Sequence, residues 1–496
     1  MQAIIDYKVL YEQQVEKSKQ LEYKLASLTL QLEQLQKMIF GSKSEHFVSA
    51  AITSPSQLSL GIETDTIAAT SVAEAKKITY TRVKTETKPV SHPVRMKLPD
   101  HLERKEIVLE PEHNEGCRKI GEEVTEELEY EPGKLYVNRF VRPKYVSADN
   151  TTLLIAPMIE RPLPKAIAGP GLLTQIVVDK YIDHLPLHRQ QQRFSREKVN
   201  IPYSTISDWV TNTCKLITPL YDTLLKEVLA GDYLHADETP LKVLDRDKKG
   251  ETHRGYYWVY HNSLKDLVLF DYQPGRGREG PLQMLKEFKG HLQTDGYAAY
   301  NIFNQKDDVT LFHCWAHARR KFYEAQDSDA DRSAYALKHI QLLYAIERRA
   351  KDESLSNEEI VSLRKQEALP VLNDLQKWMK QTYTHVLPKS PMGKAITYSL
   401  ERWEQLLTYT TDGKLNIDNN PVENAIRPVA IGRKNYLFAG SHEAAQRSAM
   451  LYSLLGTCKL HGINPTQWMK DVLTRIATHP VNQLSILLPH NWKTSE

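Results

Sequence analysis

Residues 233–273 read YLHADETPLKVLDRDKKGETHRGYYWVYHNSLKDLVLFDYQ, and their pattern sets the fold class. Three runs in this stretch, YLHADETPLKVL, RGYYWVYHN and DLVLFDYQ, are rich in Val, Leu, Tyr and Phe and are separated by turn-forming residues. That is the pattern of an antiparallel meander. Downstream, EGPLQMLKEF reads as a helix, GHLQTDGY as a strand, and DVTLFHCWAH as a further strand after a short helix. From about 317 to 405 the pattern is nearly all helical, and the last helices run over 421–427 and 442–475 with YLFAG between them. The expectation is an α/β core whose strands and helices alternate, interrupted by a long helical segment and completed by helices.

Upstream, residues 169–225 turn helical from GPGLLTQIVVDKYIDHL onward. Two helical stretches flank VNIPYS, the second starting at Ser204 as N-cap and presenting Ser204, Thr205, Ser207 and Asp208. Arg189, Arg193, Arg196 and Lys198 precede it, which is helix-turn-helix spacing with a basic flank. A structural helix bundle has the same pattern. RKEIVLE, KLYVNRFVRPKYV and TTLLIAP, within 103–158, alternate as short strands and predict a small β-rich module. The Ser-, Thr-, Ala- and Pro-rich stretch from about 46 to 100 reads as a linker. Before it, Leu21, Leu25, Leu28, Leu32, Leu35 and Ile39 step by four and three, the seam of a short coiled coil suited to self-association. A helix packed on its own chain would show the same seam.

The chain has 496 residues, which predicts three or four domains. A net charge of +3 is too small to argue for nucleic acid unless the cations cluster. Four cysteines without paired spacing do not make a disulfide framework and suit a reducing cytosol. The N-terminus lacks the basic-then-apolar order of a secretory signal, and no apolar run approaches the roughly 20 residues needed to span a bilayer. A cytoplasmic protein without membrane partners is expected.

Three acids stand out by position. Asp237 lies in a strand otherwise rich in apolar residues, with Glu238 expected on the opposite face. Asp295 ends a strand immediately before Gly296, and Glu423 sits in the first turn of a later helix. Each has a local reading as well: an edge-strand charge, a turn aspartate, and the third residue of a helix capped by Asn420 with Pro421 first. Converging carboxylates suit magnesium or manganese, and two such ions can activate an attacking oxygen and stabilise a leaving one on phosphorus. Arg427, Arg433 and Lys434 on one side, and Arg319, Arg320 and Lys321 on the other, would hold phosphate oxygens, although a solvated basic face has the same composition. His313, Cys314 and His317 lack the second ligand pair of a zinc site. No Walker-type loop is present, and GRGREG at 275–280 is a loop with two arginines.

FGSKSE, ADET, TDGYAAY, CWAHARRKF, DNNPVENAIRPVAIGRKNYLFAGS and LLGTCKLHGINPTQWMKDVL, in this order, resemble the transposases of the insertion-sequence-66 family. The resemblance covers nearly the whole chain and is most specific over 231–475. It implies a ribonuclease H-like catalytic core of the DDE type with a helical insertion. That core would follow an N-terminal coiled coil, a small β-rich module and a helix-turn-helix region. The expected division is coiled coil 1–45, linker 46–100, β-rich module 101–160, helix-turn-helix region 161–228, core 229–325, insertion 326–405, last core helices 406–478 and tail 479–496. Carried over residue by residue, the resemblance makes Asp237, Asp295 and Glu423 the metal-binding acids and gives His317 a role in organising the site or touching DNA. The family commonly carries a zinc-binding module built on paired cysteines. This chain keeps only Cys117 there, and one thiolate cannot close a tetrahedral site, so no zinc is expected.

The implied activity is cleavage of element ends and their joining to target DNA with two magnesium or manganese ions. Its partners would be terminal inverted repeats, target DNA, at least one further copy of the chain, and small accessory proteins of the same element. The competing expectation is a catalytically inactive repressor or architectural protein that still binds DNA; a nuclease that only cuts is a lesser one.

Overall fold

Glutamate fills six positions of the 14-residue stretch RKIGEEVTEELEYE, and this charge hides a strand. The computed structural model describes residues 98–111, 118–131, 133–147, 152–244 and 251–493. The expected coiled coil, nearly all of the linker, and Cys117 lie outside them. Strands β1 (Arg104–Val108), β2 (Arg118–Glu131), β3 (Lys134–Val146) and β4 (Leu153–Ile155) form one sheet. β2 and β3 are a long antiparallel hairpin, with β1 parallel to β3. Cations meet several of the β2 glutamates, Arg104 at 2.9 Å from Glu126 and Arg142 at 2.9 Å from Glu123, while buried Glu129 accepts the Tyr130 N–H at 2.9 Å. Glu127 is buried in an ion pair with Arg161 at 2.5 Å.

Helix α1 (Pro170–Tyr181) packs on β2, followed by α2 (Leu187–Arg196) and α3 (Tyr203–Leu229). The N-cap position of α3 is Pro202, not the expected Ser204. Proline already holds the extended backbone that ends the turn, so the helix starts earlier and Ser204 lies exposed in its first turn.

The meander forms β5 (Tyr233–Leu244), β6 (Thr252–Asn262) and β7 (Leu267–Gln273), all antiparallel. After the short α4 (Glu279–Met284), β8 (Gly290–Thr294) joins β5 in parallel and β9 (Val309–His313) joins β8 in parallel. The sheet order is β7-β6-β5-β8-β9. β7 is buried almost end to end and β6 is buried from Tyr257 onward, as strands covered on both faces are.

A helical segment follows: α5 (Trp315–Glu324), α6 (Ala330–Asp352), α7 (Asn357–Leu363), a π turn over Arg364–Ala368, α8 (Leu369–Tyr383), α9 (Pro391–Glu401) and α10 (Trp403–Leu407). These helices have their own core around Trp315, Ile340, Leu372, Met379 and Trp403, which Tyr233 and Phe312 join from the sheet. The chain then returns through α11 (Asn420–Asn435), α12 (His442–Leu460) and α13 (Pro465–Arg475). α11 is thus far longer than the expected 421–427 and continues through Pro428. α12 covers the exposed edge of β7, where Ser453 Oγ accepts the Phe270 N–H at 2.7 Å and Thr457 Oγ1 that of Val268 at 3.4 Å. Gly456 lies between them, and a Cβ there would stand 2.9 Å from Val268. Leu484, Leu487 and Leu488 of the expected tail enter the main core.

Candidate active site

β5 pairs β8 only as far as His235↔Gln293. β8 ends at Thr294, and the edge of β5 that it leaves is next joined only by Ala439 beside Val243, so the sheet opens around Asp237. Asp237 and Asp295 sit on the two lips of that opening, where a sheet with parallel and antiparallel neighbours leaves room for a ligand. Asp295 closes a local turn by accepting the Tyr297 N–H at 2.8 Å. Between them Gly296 has φ of 87°, and a Cβ there would meet Arg402 Nε at 2.9 Å.

Ligand oxygens of Asp237, Glu238 and Asp295 lie within 4.8 Å of one another. Glu238 was expected on the opposite face and instead joins the acids. Alternation along a strand sets the direction of Cβ, not the end of a longer side chain, and no neighbouring strand blocks the way past β8. Arg276 of the GRGREG loop holds it, donating from Nε at 2.9 Å and from a second guanidinium nitrogen at 2.5 Å to the same oxygen. Arg276 in turn lies over the Tyr297 ring at 3.9 Å. Burial, then the carboxylates of Asp295, Glu238 and Glu423, push the Asp237 pKa well above the usual range, against the Glu238 N–H that it accepts.

The third acid is placed by a buried polar network. Asn419 is fully buried; its amide nitrogen donates to the Ala236 carbonyl at 3.0 Å and its oxygen meets His235 Nδ1 at 2.9 Å. Burial lowers the His235 pKa to about 3, so the ring is neutral, donates from Nδ1 and accepts the Asn416 amide on Nε2 at 3.2 Å. Tyr233 and Gln293 complete the attachment through the Asn416 N–H at 3.0 Å and its carbonyl at 3.0 Å. The segment before α11 is thereby tied to β5 and β8. Asn420 is not the N-cap: Asn419 occupies that position without capping, and Asp418 accepts the Asn420 N–H at 3.1 Å. Glu423 is therefore the fourth helical residue. The Asn419 side chain is spent on the sheet, which is why it cannot cap.

Cys314 precedes α5 and His317 lies in its first turn. His317 Nδ1 stands 3.9 Å from Glu423 Oε1, and neither buried atom has a hydrogen-bond partner. Ligand atoms of Cys314, His317 and Glu423 also lie within 4.8 Å of one another. The Cys314 sulfur accepts the Asn419 N–H at 3.1 Å, and burial pushes its thiol up to about 12. Its sulfur tethers the 415–419 segment. Burial lowers the His317 pKa, partly offset by Asp295 and Glu423. The acids thus form two adjoining clusters, with Glu423 acting on Asp237 and both Asp295 and Glu423 acting on His317. Carboxylates without enough counter-charge, and an unpartnered oxygen and imidazole nitrogen beside them, fit a hard divalent cation.

Of the expected phosphate contacts, Arg320 stands 4.0 Å from Glu423 and Arg319 is exposed beside it. Arg427 is exposed one turn beyond Glu423 on α11, and Lys434 is exposed near its end. Lys321 instead pairs with Glu324 at 3.4 Å. Arg433 does not follow Arg427: it donates to the Pro240 carbonyl and lines a separate cavity together with Ser207. Ser204 and Thr205 lie at the start of α3. Sequence reasoning passed over Glu238, Arg276, His235 and Asn419. The adjacent acids of ADET and the doubled Asn of DNNP were the available signals.

The chain is a mixed α/β protein whose sheet opens between β5 and β8 onto a cluster of acids. The comparison with known families narrows this description. The transposase IS66 family matches residues 165–447, the IS66 C-terminal element residues 453–490, and the transposase C of IS166 homeodomain residues 27–107. The chain belongs to the IS66 transposase family, and membership implies DNA as a partner. It is 32% identical to uncharacterized protein y4hP of Sinorhizobium fredii over 95% of its own length and 89% of the relative. Identity to uncharacterized protein y4qI of the same organism is 32% with the same coverage. Identity to uncharacterized protein y4jD, also of that organism, is 32% over 80% of the chain and 82% of the relative. Among the described residues, no helix is long and apolar enough to cross a membrane.

Proposed function

We propose that the chain is a catalytically active DDE transposase that cuts DNA at the ends of its element and joins them to target DNA. The observation that supports this reading is that Asp237 and Asp295, from distant stretches, share one cluster while Glu423 lies with His317 in an adjoining one close enough for its charge to act on Asp237. The sheet order, three antiparallel strands followed by two parallel ones, supports a ribonuclease H-like core in two parts, 229–325 and 406–478, around a helical insertion at 326–405.

Asp237, Asp295 and Glu423, with Glu238 adjoining, would hold divalent magnesium or manganese, which supplies Lewis-acid activation of the attacking oxygen and neutralises charge on the leaving one. Arg276 keeps the Glu238 carboxylate in place. His317 orients Glu423 across their 3.9 Å gap. Arg319, Arg320 and Arg427 take phosphate oxygens of the DNA. Water displaces the 3′ oxygen at the element end, and the freed 3′-hydroxyl then displaces an oxygen at a target phosphate, with no covalent protein–DNA intermediate. The helix-turn-helix region recognises the ends, a coiled coil at 1–45 pairs subunits, and accessory proteins of the element join them in the cytoplasm.

The test uses the full chain, magnesium, and duplexes copied from the inverted repeats that flank its gene. Wild type should yield cut and joined products, while Asp237→Asn, Asp295→Asn and Glu423→Gln should bind the same DNA and yield neither. Equal inertness of wild type and Asp237→Asn, with DNA binding intact, would overturn catalysis in favour of a DNA-binding repressor.

A further inference from the structure

A cavity of about 500 Å³ lies between α1 and the start of α3 on one side and β5, α11 and the 436–440 segment on the other. Lys180, Lys242, Arg433 and Arg447 line it, and no Asp or Glu does. Among the described residues none of the four forms an ion pair with a carboxylate. Four like charges gathered without a counterion repel one another, and an anion would relieve them. The lining is aromatic as well. Lys180 Nζ stands 5.3 Å from the Tyr181 ring centre and 5.8 Å from that of Tyr436. Tyr203, the first residue of α3, is on the rim and 51% exposed.

Beside this cationic, aromatic space the chain holds two large apolar side chains out to solvent, Leu437 at 67% and Phe438 at 46% exposure. They are not on a loose tip. Ala439 donates its N–H to the Lys242 carbonyl at 2.8 Å and accepts the Leu244 N–H at 2.8 Å, which fixes the segment to the end of β5. Apolar wedges of this kind separate base steps in DNA. The cavity also has a fixed spacing from the acids. Lys242 follows Asp237 by five residues on β5, about 17 Å at roughly 3.3 Å per residue. Arg433 follows Glu423 by ten on α11, about 15 Å at roughly 1.5 Å per residue.

We infer that this cavity receives one nucleotide of the DNA substrate, swung out of the duplex about four or five base steps, at roughly 3.4 Å each, from the phosphodiester at the acidic site. Leu437 and Phe438 fill the gap left in the stack, Tyr203 stacks on the extruded base, and Lys180, Arg433 and Arg447 hold its phosphates. Its volume falls within the usual range for such a ligand. The inference rests on the proposed function, which supplies DNA; the cavity's chemistry by itself would also accept a free nucleotide.

The test measures binding of the full chain, without divalent metal, to a fluorescent duplex of arbitrary sequence and to the same duplex carrying one unpaired adenine. An unpaired nucleotide costs less to extrude, so it should bind at least about tenfold more tightly. Tyr203→Ala and Arg447→Gln, shown by thermal melting to fold as wild type does, should each lose that preference, and Asp237→Asn should keep it. Equal affinity for the two duplexes, or retention of the preference by both cavity variants, overturns the inference and leaves the proposed function standing. Binding of dAMP that Arg447→Gln abolishes, with no preference between duplexes, also overturns it and assigns the cavity to a free nucleotide. Failure to bind either duplex removes the proposed function as well.

Discussion

Asp237 has three carboxylate neighbours besides its own burial, so its charge is resisted from every side. Replacing it with Asn keeps the shape and removes the repulsion. In chelator, Asp237→Asn should therefore melt higher than wild type, by about 1 °C for each kcal/mol of repulsion relieved, while losing magnesium-dependent cleavage. A lower melting temperature would mean that the carboxylate makes a net favourable contact. His261 offers a pH test away from the acids. Burial lowers its pKa to about 4 from 6.5, so between these values the unfolded chain binds the extra proton. Its contribution to stability is complete above pH 6.5 and is lost as pH falls towards 4. His261→Leu should flatten the acid limb of stability against pH by one proton, about 1.4 kcal/mol per pH unit, in denaturant titrations. Asp237 stands out in the sequence because an acid in an apolar strand is locally anomalous, and Asp295 because it ends a strand, although Asp before Gly is also an ordinary turn pair. Glu238 does not, since strand alternation assigns it elsewhere and only Arg276, 38 residues away, fixes where it ends.

Among the elements, the π turn over Arg364–Ala368 puts one buried guanidinium at a junction. Arg364 donates to Glu347 at 2.9 and 2.6 Å and to the carbonyls of Tyr409, Asp412 and Leu415 at 2.6, 2.8 and 2.9 Å. It thus ties α6 to the segment that leads to Glu423. Arg364→Met strands Glu347 and three carbonyls and should cost about 3–5 kcal/mol in urea unfolding, and Arg364→Lys, lacking the planar fork, should recover little of it. Loss of less than about 1 kcal/mol would show that water replaces the guanidinium. The meander and the helical insertion were legible because apolar periodicity is local. β2 was not, because six glutamates obscure the alternation and their cationic partners come from other parts of the chain. α11 runs on past 427 because, although Pro428 removes one helical hydrogen bond, Val429 and Gly432 beyond it are buried.

At the scale of the molecule, two cores meet at the site. The sheet with its C-terminal helices supplies Asp237, Asp295 and Glu423, and the helical insertion packs around Trp315 at the start of the helix that carries His317. A substitution that loosens the insertion should therefore lower cleavage, and because Tyr233 and Phe312 of the sheet share the insertion's core it should lower the melting temperature as well. The seam expected over residues 21–39 makes a separate claim about assembly. Deleting residues 1–45 should convert the chain from a dimer to a monomer in analytical ultracentrifugation and abolish joined products; an unchanged mass would remove the coiled coil from the proposal.

What the amino-acid sequence determined alone is whatever depends on neighbours within a few residues: the strands of the meander, the run of helices after it, the acids that sit against local preference, and the basic residues around them. What only the tertiary structure decided is which of these side chains share space. Glu238 joins Asp237 because β8 stops, Asn419 leaves its helix uncapped because the sheet takes its amide, and Arg433 parts from Arg427 because Pro240 and the cavity lie on its side. Periodicity along a chain fixes the direction of Cβ, whereas the end of a long side chain settles where distant parts of the fold offer it a partner.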